Sequence, residues 1–215
     1  MSRLEDIPIQ PVENPILCPP YTEPTAHWVY DTKTGIPSQF PGRRPASYWF
    51  KTERIATGQR DLFAEEERDD LPLVNALRDD VRAWRKSGWE NASEVTKTLL
   101  RHWSREDRPR RLFFCQLEAV ETIIYLQEIL ARGRTRRGKA ELSVEDFRKL
   151  SGGKAVRPDE WNPKVAQKPR LVDVPNEEGL KPLLRCACKM ATGSGKTVVM
   201  AMLIAWAFCN RGRVP

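Results

Sequence analysis

The chain has 215 residues, of which 40% are hydrophobic and 30% charged, and this is enough for one or two domains with a sizeable core. These proportions exclude a disulfide-stapled miniprotein and a wholly disordered chain. Lys and Arg number 36 against 29 Asp and Glu, and the formal net charge of +7 favours a polyanionic partner such as nucleic acid.

The chain shows no pattern typical of secretion or of insertion into a membrane. Its five cysteines are odd in number and scattered, and its first residues lack the charged and apolar regions of a signal peptide. The longest apolar run, residues 198–209, would span roughly 18 Å as a helix, against roughly 30 Å for a bilayer core. We therefore expect a reduced, cytoplasmic protein that does not cross a membrane.

Residues 1–70 are predicted to form an arm rich in proline and aromatic residues. Prolines are frequent among the first 50 residues, which sustain neither a helical nor an alternating period. The aromatic side chains, however, exceed what a solvated tether needs. They include Trp28, Tyr30, Phe40, Tyr48, Trp49 and Phe50. We expect an irregular segment that docks on the rest of the protein.

Residues 71–131 form a predicted helical region. In the first helix apolar residues recur at i, i+3, i+7 and i+10, and Gly88 stands where a C-terminal cap is needed. A second helix starts near Ser93 and ends before Pro109. The apolar faces of these two helices comprise Val74, Leu77, Val81 and Trp84, and Val95, Leu99 and Trp103. The third helix has a stripe wide enough to imply burial, formed by Ala119, Val120, Ile123, Ile124, Leu126 and Leu130.

Residues 132–182 are expected to be a basic loop followed by an irregular connection, with one short helix near residues 144–150. Positive charges and glycines dominate residues 132–139, a composition that indicates an exposed loop. The basic residues of this loop, which are the local candidates for contact with DNA phosphates, are Arg132, Arg134, Arg136, Arg137 and Lys139. A solvated loop between helices is the alternative interpretation.

Residues 183–215 contain the motif that carries chemistry: an apolar run predicted as a strand, the loop ATGSGKT at 191–197, and an apolar helix. Gly193 and Gly195 let backbone N–H groups converge on a β-phosphate, and the helix N-terminus adds partial positive charge. Lys196 would reach the β- and γ-phosphates, and the Thr197 hydroxyl would bind Mg²⁺. The predicted ATP phosphate-binding residues are Thr192, Gly193, Ser194, Gly195, Lys196 and Thr197.

The loop departs in one position from the general pattern G-x-x-x-x-G-K-[ST], because Met190 stands where Gly or Ala is usual. With this departure, KMATGSGKT at residues 189–197 resembles motif I of superfamily 2 DEAD/DEAH-like helicases, in the branch that contains the Res subunits of type III restriction enzymes. RLFFCQLEAV at residues 111–120 is similar to the glutamine motif of these enzymes. The arm around residues 27–28 and 42–48 looks like the N-terminal region of a subgroup of them.

The resemblance implies an α/β fold and an ATP-driven helicase or translocase on double-stranded DNA. Such enzymes have two RecA-like domains, use ATP and Mg²⁺, often carry a nuclease domain, and belong to restriction systems with a modification methyltransferase subunit. Gln116 would read the adenine base; the alternative is that it is only a polar residue that starts the third helix.

The chain is too short for everything that the resemblance implies. Residues 198–215 leave no room for the remaining strands of a RecA-like sheet, for the Asp-Glu pair of motif II or for arginine fingers. We therefore expect an incomplete RecA-like P-loop domain preceded by an irregular and helical N-terminal region. The chain would be the N-terminal piece of a longer enzyme, with no catalytic residue of its own.

Other interpretations of the motifs are also open. The loop could be inert in a non-catalytic DNA-binding module that uses basic residues 108–111 and 132–139. A circularly permuted P-loop protein would need a magnesium-binding strand at residues 171–174, where flanking prolines favour a turn. Cys186 and Cys188 could bind zinc, but packing is favoured without a second Cys/His pair. His27 and His102 are solitary, and no chemistry is assigned to them.

Overall fold

A computed structural model describes residues 11–31, 34–52, 65–134 and 187–212. As expected, the described chain mixes strands with helices. In chain order its elements are strands β1 (Ala26–Tyr30), β2 (Pro37–Pro41), β3 (Ser47–Thr52) and β4 (Glu65–Asp70), helices α1 (Pro72–Lys86), α2 (Glu94–Trp103) and α3 (Phe114–Ile124), a π-helical turn (Tyr125–Leu130) and helix α4 (Lys196–Cys209).

The N-terminal arm is more regular than its sequence predicts. β1 and β2 form an antiparallel hairpin in which Ala26 faces Pro41 and Tyr30 faces Pro37, and β3 and β4 form a second antiparallel hairpin. Proline lacks a backbone donor, but a two-stranded hairpin has only edge strands, where this loss is tolerated. Prolines therefore mark the ends of β2, and the expectation of an irregular arm is wrong in this respect.

The first two predicted helices are confirmed. α1 begins with Pro72, which suits a first helical turn, and Gly88 follows its end with a φ of 71°. Ser93 caps α2, because its hydroxyl oxygen accepts a bond of 3.1 Å from the backbone N–H of Thr96. The buried face of α2 differs from the predicted one, since Val95 and Leu99 are only half-buried. Its buried residues are Thr96, Leu100 and Trp103.

The third predicted helix does not continue as an α-helix to residue 130. After Ile124 it widens into the π-helical turn, and the N–H of Ala131 bonds the carbonyl of Leu126, five residues earlier, at 2.9 Å. Of the predicted apolar stripe, Val120, Ile124 and Leu130 are buried, together with Ile129, which the predicted stripe did not include. Ala119 and Leu126 are half-buried.

The core lies where the helices meet. α3 packs against α1 and α4, and α2 packs against α4. α4 turns Val199, Met202 and Trp206 into this core. Its opposite face is apolar and exposed, with exposed fractions of 62% for Met200, 67% for Ile204 and 72% for Phe208. Within the described residues α4 therefore packs on one side only. No described helix is both long and apolar enough to cross a membrane.

A fully buried carboxylate, that of Glu128, joins three parts of this core. It accepts bonds from the backbone N–H of Ser93 at 2.6 Å and from the Thr96 hydroxyl at 2.7 Å. The indole N–H of Trp206 donates to the Thr96 oxygen at 2.9 Å, and the Ser93 hydroxyl donates to Asn210 at 2.8 Å. The start of α2, the π-helical turn and the end of α4 are therefore held by one polar network.

Replacing Glu128 by Gln tests this network. Both carboxylate oxygens of Glu128 accept bonds, so the amide nitrogen of Gln would face a donor and leave it buried and unpaired. We expect the free energy of unfolding, measured by urea denaturation, to fall by about 1–3 kcal/mol. Glu106→Gln, at an exposed carboxylate, is the control and should change little. Equal losses in the two variants would contradict the role of the network.

The arm is attached to the helices by ion pairs. Arg82 of α1 donates from Nε and Nη2 to the Glu23 carboxylate at 2.9 and 2.6 Å. Arg43 of the arm donates to both carboxylate oxygens of Glu118 in α3. Hydrogen bonds from Arg82 are the main reason why the pKa of Glu23 lies below its usual value. Within the described residues the arm therefore contacts the helices through ion pairs, whereas Tyr30 and Phe40, two of the aromatic residues expected to dock it, are exposed.

The lowered pKa of Glu23 makes arm docking dependent on pH. Ionised Glu23 stabilises the folded state above its unfolded pKa of about 4.3, and this contribution is lost as the pH falls through the lower folded value. Because both side chains are partly exposed, we expect Arg82→Ala to cost about 0.5–1 kcal/mol at pH 7 and progressively less below pH of about 4.3. Urea denaturation across this range measures the difference. Arg110→Ala, at an exposed arginine, should show no such trend; a flat difference for Arg82→Ala would refute the prediction.

Candidate functional site

The glycine loop lies directly before α4. Residues 187–190 have no regular secondary structure, and the rest of the predicted strand, residues 183–186, lies outside the described residues. Gly193 and Gly195 have φ angles of 78° and 81°, in the left-handed region that side chains disfavour. Gly195 is also the residue from which α4 starts. The two predicted glycines therefore stand where the backbone requires glycine.

The Lys196 side chain bonds back to the start of the glycine loop. Its ammonium group donates to the carbonyl oxygens of Met190 at 3.1 Å and Ala191 at 2.8 Å. The Ser194 hydroxyl donates to the same Ala191 carbonyl at 2.6 Å. Lys196 is exposed, so its charge is available on the surface of the loop. The Lys196 ammonium group and the Ser194 hydroxyl thus both bond carbonyl groups at the start of the loop, those of Met190 and Ala191.

The predicted adenine reader, Gln116, lies in contact with the loop. It is 6% exposed, and its two polar atoms have separate partners. Its oxygen accepts from the backbone N–H of Phe113 at 2.9 Å, which caps the start of α3, and its nitrogen donates to the Ser194 carbonyl at 3.0 Å. The alternative interpretation, a polar residue that starts the third helix, therefore describes part of what Gln116 does.

Gly195 and Gln116 approach each other closely. A β-carbon placed on Gly195 would lie 2.2 Å from the Gln116 nitrogen, whereas one placed on Gly193 would meet nothing within 4 Å. Gly195 is therefore needed both for its backbone angles and for the space it leaves to the amide. Gly193 is needed for its angles alone, and the space beside it is open.

Thr192 and Thr197 are exposed on either side of the glycines. Thr197 lies in the first turn of α4. Backbone N–H groups there have no intrahelical acceptor, and this is the positive end of the helix dipole. Its hydroxyl is therefore at the end of the helix that favours anions. All six predicted phosphate-binding residues belong to one continuous loop and helix start.

The predicted basic loop is described only at its beginning. Arg132 is half-buried, and the chain turns at Gly133 and Arg134, whose carbonyl accepts a bond from Asn91 at 2.8 Å. Arg136, Arg137 and Lys139 lie outside the described residues, as do the segments 144–150 and 171–174.

The solitary histidines and the cysteine pair give no metal site in the described part of the chain. His27 bonds the Gly42 carbonyl at 2.8 Å within the first hairpin, and His102 is exposed at the end of α2. Cys188 is exposed, while Cys186 lies outside the described residues. Within residues 11–31, 34–52, 65–134 and 187–212, no group of three His, Cys, Asp or Glu side chains could hold a metal ion.

Three carboxylates of the third helical segment were missed by sequence reasoning. Glu118 pairs with Arg43, and Glu121, which is 2% exposed, pairs with Arg85 at 2.6 Å and accepts from the Trp89 indole at 2.9 Å. Glu128 is the third. Their signal is in the sequence, because acidic residues on a predicted buried stripe require buried partners.

Comparisons with known proteins assign this site to no family. No protein-family model, curated protein or solved structure matches the chain.

The close approach of Gly195 to Gln116 can be tested with matched alanine variants. Gly193→Ala should cost about 1–2 kcal/mol of stability through backbone strain. Gly195→Ala should cost about 1–2 kcal/mol more, because the Gln116 amide must move and lose its bond to Ser194. The measurement is urea denaturation.

A Gln116→Ala background serves as the control for this pair. There the extra cost of Gly195→Ala should disappear, since the amide that it displaces is gone. Equal costs at the two glycines in the wild-type background would show that the contact contributes nothing.

Proposed function

We propose that residues 191–197 bind the phosphates of ATP and that the chain is the ATP-binding part of an ATP-dependent DNA helicase or translocase of the type III restriction kind. The observation that carries the proposal is the bond between Gln116 and Ser194, which are 78 residues apart. It joins the two segments that resemble the glutamine motif and motif I. Two motifs that serve one nucleotide have to lie side by side.

The shape of the loop supports this proposal. The Lys196 ammonium group donates to two loop carbonyls, and phosphate oxygens are acceptors that could take their place. The open space beside Gly193 leaves the backbone accessible to a phosphate. The positive end of α4 faces the same loop. The residues present therefore fit a phosphate group.

The fit extends to Mg²⁺ and to the base. Thr197 offers an exposed hydroxyl at the helix start, an oxygen ligand of the kind that Mg²⁺ prefers. The amide of Gln116 keeps one N–H and one lone pair beyond its two bonds, which is what recognition of adenine needs. When bound, Mg²⁺ would neutralise charge on the phosphates. Thr197 would hold the Mg²⁺ at the phosphate end of the nucleotide, and Gln116 would contact the adenine at the other end.

The outer face of α4 supports the proposal that the chain contains part of a RecA-like domain. Met200, Ile204 and Phe208 form an apolar face that the described residues do not cover. A helix in a RecA-like domain packs on a sheet, and such a face would serve this packing. Double-stranded DNA, a methyltransferase subunit and a cytoplasmic location belong to the same proposal, and the net charge of +7 favours the DNA.

Nucleotide binding tests the proposal directly. A fluorescent ATP analogue should bind the chain with an affinity that depends on Mg²⁺, and Lys196→Ala should weaken binding at least about tenfold because a phosphate partner is lost. Lys86→Ala removes an exposed lysine at the end of α1, outside both motifs, and is the matched control. Absence of binding, or equal binding by Lys196→Ala, would refute the proposal.

A further inference from the structure

The arm contacts the first turn of α3, which is also the turn that approaches the glycine loop. The backbone N–H of Phe114, the first residue of α3, donates to the carbonyl of Pro20 in the arm at 2.8 Å. The Tyr21 ring lies 5.7 Å from the ring of Phe113, the residue before α3. Helix starts have backbone N–H groups without intrahelical acceptors, so this bond fixes the arm to the first turn of α3.

Arg43 makes the strongest polar contact between the arm and this turn. Its two terminal nitrogens donate to the two carboxylate oxygens of Glu118 at 2.5 and 2.6 Å, a paired geometry that only a guanidinium provides. Both side chains are largely buried, with 19% of Arg43 and 13% of Glu118 exposed. The Arg43 guanidinium also lies over the Phe114 ring, 5.6 Å from its centre.

The same turn carries the amide that touches the loop. Gln116 lies two residues before Glu118, and its nitrogen bonds the Ser194 carbonyl. Its oxygen is held by the backbone N–H of Phe113. Any shift of the first turn of α3 therefore moves the amide against Gly195, where there is no space for a further atom. A continuous series of contacts runs from the arm to the loop.

We propose that Arg43 is a positioning residue for the glycine loop, acting through Glu118 and the Gln116 amide. This inference rests on the proposed function, because it assigns a consequence for nucleotide binding. Arg43 does not touch the loop itself in the contacts described. It holds the helix turn from which Gln116 supports Ser194 and Gly195.

Neighbouring charged residues have main partners other than Glu118. Arg44 donates to the Trp28 carbonyl within the arm, and Arg82 binds Glu23, whose carboxylate also lies 3.7 Å from Arg43. Arg85 lies over the Phe114 ring at 5.1 Å but pairs with Glu121, one turn further along α3. Arg44→Ala is therefore a matched control, since it removes the neighbouring arginine of the arm without removing a contact to α3.

The experiment compares wild type, Arg43→Ala, Arg43→Lys and Arg44→Ala at a temperature where circular dichroism shows all four folded. Hydrogen–deuterium exchange of residues 190–197 without nucleotide reports on the loop, and exchange of α2 is the internal reference. We expect Arg43→Ala to speed loop exchange and to weaken Mg²⁺-dependent binding of the ATP analogue about 5- to 10-fold. Arg43→Lys should lie between it and wild type, and Arg44→Ala should match wild type.

The two readouts separate the possible outcomes. Loop exchange and affinity that are unchanged in Arg43→Ala would overturn the inference, and so would exchange that rises equally in the loop and in α2. Glu118→Ala should reproduce Arg43→Ala, and the double variant should be no weaker than either; additive effects would also overturn it. A wild-type chain that binds no nucleotide refutes the proposed function and the inference with it, whereas binding that ignores Arg43 refutes the inference alone.

Discussion

The buried amide of Gln116 connects the start of α3 to the glycine loop at the start of α4, and the geometry of the site depends on it. Each of its polar atoms has a backbone partner, and a buried amide without partners would cost on the order of 1–3 kcal/mol. Gly195 then has to be glycine, because the amide occupies the space that a β-carbon would need. The position of Lys196, the next residue, follows from this contact.

The C-terminal end of α4 is also held by hydrogen bonds. Asn210, directly after the helix, is fully buried and bonds Ser93, while Trp206 reaches the network around Glu128. A helix fixed at both ends presents its first turn to the loop in one orientation, which is what a phosphate-binding site requires. Its remaining apolar face, with Ile204 and Phe208, stays exposed in the part of the chain that the structure describes.

Helix positions were predictable because a 3.6-residue period depends only on local sequence, and the glycine loop because Gly193 and Gly195 have a backbone reason to be glycine. The buried face of α2 was not predictable from local sequence. Thr96 is fully buried because its hydroxyl serves Glu128, a partner 32 residues away that no local pattern shows. The first hairpin was missed because β2 has only five residues and both begins and ends with proline, which interrupts an alternating pattern.

The acidic residues of α3 show which contacts can be predicted from the sequence and which cannot. A carboxylate on a buried stripe is costly unless it is paired, so Glu118 and Glu121 predict that cations lie nearby. They do not predict which cations, and the partners prove to be Arg85 on α1 and Arg43, 75 residues before Glu118. The pair between Glu118 and Arg43 joins the arm to α3. The arm is therefore in contact with the same helix that bonds the glycine loop through Gln116.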